Sequence, residues 1–134
     1  MIAIIQSKLH IPGKQNGNCI AAALASLLEV GLDDVPKFEE MGENRWWIEL
    51  RKWLKIQGFH LMSWEIETGK EFYLPGYFIA CGPSPRGFEH AVIYKNTEMV
   101  HDPHPSRDGL VKMTSVWALL PLDPARFDSE CNLY

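Results

Sequence analysis

The sequence offers little that could staple a fold, span a membrane or bind nucleic acid. Only three cysteines occur, Cys19, Cys81 and Cys131, widely spaced and without a C-x-x-C. That count and spacing fit neither a disulfide framework nor a zinc ribbon, so free thiols in a reducing, cytoplasmic compartment are expected. No run of roughly 18 apolar residues exists, and no membrane-spanning helix is expected. Met1–Ile5 is apolar but short, without the basic region or small-residue cleavage site of a signal peptide. The densest basic group is Arg51, Lys52 and Lys55 in a chain with 13 Lys+Arg and 17 Asp+Glu, which argues against a nucleic-acid partner. Internal repeats and low-complexity tracts are also missing.

What is present reads as one domain over residues 1–134, long enough to bury a core without staples. Ile11–Asn18 is dense in turn formers and predicts a loop. The run CIAAALASLLEV over 19–30 predicts a helix apolar around nearly its whole circumference, with Asn18 as N-cap and Gly31 just beyond its end. Such a helix must be buried. A second helix is expected over 45–57, capped by Asn44 and ended by Gly58, with Trp46, Leu50, Trp53, Leu54 and Gln57 on its packed stripe. Beyond it the period becomes strand-like at 59–66, 76–81, 90–94, 99–102 and somewhere within 110–122. Helices first and strands after, with no alternating βαβ pattern, predict an α+β fold with a mostly antiparallel sheet. The segment 82–87, GPSPRG, reads as the most exposed loop.

Three positions carry candidate chemistry. Cys19 opens the apolar helix behind a Gly-rich loop, where unpaired backbone N–H groups and the positive helix end favour a thiolate. A cysteine on an apolar helix can equally be an inert small hydrophobe. Gln15, one loop earlier, adds an amide that can donate beside the Cys19 N–H, and two such donors make an oxyanion hole. His90 opens the strand HAVIY, a position that is more often structural than catalytic, and Asp102 is its candidate partner. A three-residue loop at 95–97 with Asn96 left-handed sets His90 opposite Asp102. A two-residue loop at Asn96-Thr97 turns Asp102 to the other face.

With Gln15-x-x-x-Cys19 at a helix start, His90-Ala-Val at a strand start and Asp102-Pro103 on the next strand, the chain resembles papain-like cysteine peptidases. It is most similar to the C39-like branch of small bacterial and bacteriophage proteins. The resemblance implies a papain-like fold, acyl transfer through Cys19, His90 as base, Asp102 as its orienting residue, Gln15 in the oxyanion hole and no cofactor. It implies a peptide, isopeptide or other amide as substrate, with a host protein as one source. So short a chain leaves little to wall a long peptide cleft, which keeps small or terminal amides beside internal peptide bonds. Two other readings remain open: a binding module on the same scaffold, with Trp47 and Trp64 as exposed anchors, and a transglutaminase- or acyltransferase-type enzyme using the same three residues. A metal site from His90, His101, Asp102 and His104 is disfavoured, because His101 and Asp102 are strand neighbours that point to opposite faces. His104 is expected at the rim of the cleft or in solvent.

Overall fold

The computed structural model describes residues 1–67, 70 and 72–126; Cys131 lies outside them. Helix α1 runs Cys19–Leu28 and α2 Glu43–Ile56, and five strands follow: β1 Phe59–Glu65, β2 Tyr77–Pro83, β3 Glu89–Lys95, β4 Glu98–His101 and β5 Ser115–Pro121. The strands form one sheet in the order β1-β5-β2-β3-β4, and each neighbouring pair is antiparallel. The α+β class expected from the order of elements is therefore the observed one.

Both helices cover one face of this sheet. Residues Ala21–Leu27 of α1 are buried, because small side chains let the helix approach β3 closely. Their partners are the alternate strand residues Ile79, Ala91, Ile93, Trp117 and Leu119. Of the stripe expected on α2, Leu50 and Leu54 are fully buried and Trp46 and Trp53 pack partly buried on the same core. Trp47 joins them, its ring edge-on to Trp117 with centroids 5.3 Å apart. The opposite face buries Phe78, Ala80, Val92, Met113 and Val116, with Trp64 packed partly buried against them. Neither Trp47 nor Trp64 is the exposed anchor that the binding-module reading requires. The chain at 110–114 covers this second face, with Val111 N–H bonded to the Pro83 carbonyl and Thr114 N–H to that of Cys81.

Element ends differ from the expected ones for local reasons. Helix α1 stops at Leu28 because Glu29 takes the left-handed conformation (φ 56°), so Glu29 and not Gly31 terminates it. Asn18 precedes the helix as expected but its side chain does not cap it: Oδ1 accepts from Lys8 N–H and Nδ2 donates to Ser7 Oγ. Helix α2 begins at Glu43, after Gly42 rather than after Asn44.

The largest correction concerns the β3–β4 hairpin. Its loop has two residues, since Lys95 pairs with Glu98 and Tyr94 with Met99, where the facing of His90 and Asp102 called for three. Asn96 is left-handed (φ 57°), as the turn requires. A shift then follows, and Ile93 pairs with His101, leaving Val100 as an extra residue on β4. A bulge of this kind places two residues opposite one and reverses the alternation beyond it. The short loop alone would turn Asp102 away from His90, and the bulge brings it back into step.

Candidate active site

A cavity of about 640 Å³ opens at the head of α1, lined by residues of the N-terminal segment, of α1, of the 38–46 region and of the turn between β2 and β3. Cys19, His90 and His104 all border it. Cys19 is half-buried at the first position of α1. The bond from Ala22 N–H to Asn18 O opens the ladder of that helix, and no side chain caps it. The N–H groups of Cys19 and Ile20 therefore precede the ladder, at the positive end of the helix dipole.

His90 is buried and its Nε2 donates to Oδ1 of Asp102 at 2.6 Å. Cys19 stands near the same ring, close enough to act on its proton affinity. Burial lowers the basicity of His90, but the hydrogen bond to Asp102, the nearby Cys19 sulfur and the charge of Asp102 outweigh it, raising its pKa to about 9. Asp102 is 1 % exposed. Burial raises its pKa, but the bond from His90, the N–H groups of His104 (2.8 Å) and Gly109 (2.8 Å) and the charge of His90 bring it down to about 2. An imidazolium is thus favoured at neutral pH against the Asp102 carboxylate and near the Cys19 sulfur, an arrangement suited to a thiolate nucleophile.

His104 stands with its ring edge-on to His90, centroids 6.0 Å apart. Its pKa is lowered, by burial first and then by the charges of Arg86 and His90, against the smaller opposing charges of Asp102 and Asp108. His101 serves a different purpose. It is 2 % exposed and its Nε2 donates to Ile4 O at 2.7 Å, pinning the N-terminal segment to the sheet edge. Pro103 is buried, and its carbonyl accepts from Gln6 N–H at 2.9 Å, which ties the same segment a second time. Among the described residues no three His, Cys, Asp or Glu side chains converge on a point that could hold a metal ion.

Gln15 is not brought to this group. It is exposed, its Nε2 donates to the Leu9 carbonyl at 2.8 Å, and it does not line the cavity. The pairing of Ile11 with Gln15 folds the loop back on itself and turns the amide outward. The glutamine that reaches the cavity is Gln6, which is 8 % exposed and donates from Nε2 to Lys8 O at 2.8 Å. A Cβ on Gly17 would lie 3.1 Å from that Nε2, so the glycine shortly before α1 is what admits the amide. Sequence spacing gave no signal for Gln6, because its approach depends on a chain crossing between the N-terminal segment and Pro103. The segment expected to be the most exposed loop also departs from expectation. Gly82 and Pro83 belong to β2, Ser84 is buried, and the turn 84–88 lines the cavity through Ser84, Arg86, Gly87 and Phe88.

No family model matches the chain, and no curated protein or solved structure matches it either.

Proposed function

We propose that this protein is a cysteine-dependent hydrolase that cleaves a peptide, isopeptide or other amide bond through a thioester on Cys19, on a papain-like plan. The observation that carries the reading is the buried 2.6 Å contact between His90 and Asp102, with Cys19 near the same imidazole and lining the same cavity. In this reading the Cys19 sulfur attacks the carbonyl carbon while His90, as imidazolium, gives its proton to the leaving amine. The thioester is then hydrolysed by water, which His90, now neutral, deprotonates. Asp102 fixes the ring and balances its charge. The carbonyl oxygen, as it becomes an oxyanion, is met by the Cys19 N–H and by the Gln6 amide, whose Nε2 has a second hydrogen beyond the one given to Lys8 O.

The test is turnover of a panel of acyl esters and peptide amides bearing chromogenic leaving groups. Activity lost in Cys19→Ala, with the circular dichroism spectrum unchanged, supports the reading; activity retained in that variant rejects it.

A further inference from the structure

The cavity is bridged from wall to wall by two rings. One wall is the N-terminal segment, held at its base by Gln6 N–H to Pro103 O (2.9 Å), Lys8 N–H to Asn18 Oδ1 (2.9 Å) and Asn18 N–H to Lys8 O (3.2 Å). The other is the β2–β3 turn, closed by Ser84 N–H to Phe88 O (2.8 Å) and Gly87 N–H to Ser84 O (2.9 Å). From these two arms His10 and Phe88 meet with ring centroids 4.4 Å apart, and both border the cavity that Cys19 opens into.

We propose that the His10–Phe88 bridge makes the site accept amides at the end of a chain rather than in its middle. This rests on the hydrolase reading above. Rings in contact leave no gap for a backbone, so a polypeptide crossing the site from the N-terminal segment to the β2–β3 turn meets a barrier there. A chain that stops at the site needs only one way in. The volume of about 640 Å³ is that of a small-molecule site and suits a chain end or a short acyl group.

The experiment compares the alkylation rate of Cys19, mapped by peptide mass spectrometry, with three probes. They are iodoacetamide, a Gly/Ala/Ser decapeptide carrying an iodoacetyl group at its N-terminus, and the same decapeptide capped at both ends with the iodoacetyl group on a central diaminopropionate. In wild type the central probe should react at least about 10-fold more slowly than the terminal one. The His10→Ala, Phe88→Ala double variant should remove most of that difference while leaving the iodoacetamide rate unchanged, and each single variant should remove part of it. Both residues are exposed, so these changes leave the fold intact. Equal rates for the two peptide probes in wild type, or an unchanged ratio in the double variant, overturn the proposal. Failure of iodoacetamide itself to label Cys19 overturns the hydrolase reading, and the inference with it.

Discussion

Oδ1 of Asp102 accepts from His90 Nε2 at 2.6 Å and from His104 N–H at 2.8 Å, while Oδ2 accepts from Gly109 N–H at 2.8 Å. Both oxygens of one buried carboxylate are therefore acceptors only. Asp102→Asn can keep the bonds at one oxygen, but its NH₂ then faces the Gly109 N–H, leaving two donors opposed. The expected loss is about 1–3 kcal/mol of stability. Asp102→Ala should lose about 3–5 kcal/mol, since it strands His90 as well. Turnover should rank wild type, then Asn, then Ala. Urea melts and initial rates on the three proteins check both orders.

The pH dependence of stability follows from the two shifts. His90 is raised from 6.5 to about 9, so its contribution is complete below pH 6.5 and lost as pH rises through 9. Asp102 is lowered from 3.8 to about 2, so its contribution is complete above 3.8 and lost as pH falls through 2. The melting-temperature gap between wild type and His90→Gln should be widest from about pH 4 to 6.5 and close by about pH 9 to 10. A gap that is flat with pH contradicts the assignment.

Gly82 pairs with His90 across the β2–β3 ladder, and a Cβ there would collide with the carbonyl oxygen of Lys112. Gly82→Ala should cost about 1–3 kcal/mol, because backbone and not a flexible side chain must give way. As the shift falls beside His90, turnover should drop more than stability alone explains, measured well below the melting temperature.

The two glutamines separate cleanly. Gln6→Ala should slow acylation by about 10²-fold or more if its amide meets the oxyanion. Gln15→Ala should stay within about 2-fold of wild type, as an exposed side chain bonded to Leu9 O. The reverse result would return the oxyanion role to Gln15.

The elements and their order were legible in the sequence because each has a clear pattern: the all-apolar run after Asn18, the stripe on Trp46, Leu50 and Leu54, and short strand-like apolar runs bounded by turn formers. The partnership of His90 and Asp102 was legible in residue type but not in geometry. It depends on a two-residue loop and a compensating bulge at Val100, and a bulge has no sequence mark of its own here. Gln6 was not legible at all, since only the packing of the N-terminal segment against Gly17 and Pro103 delivers it.

The proposed chemistry turns on Cys19 as a nucleophile activated by His90. Cys81 supplies an internal control, because burial, with a smaller contribution from nearby Cys19, pushes its thiol up to about 12. The direct measurement is rapid-quench mass spectrometry after mixing with p-nitrophenyl acetate, with the acetyl group located by peptide mapping. One acetyl thioester, on Cys19, should form fast in wild type, form at least about 10²-fold more slowly in His90→Ala and be absent in Cys19→Ala. Acetylation of Cys81 at an equal rate, or an unchanged Cys19 rate in His90→Ala, would contradict that chemistry.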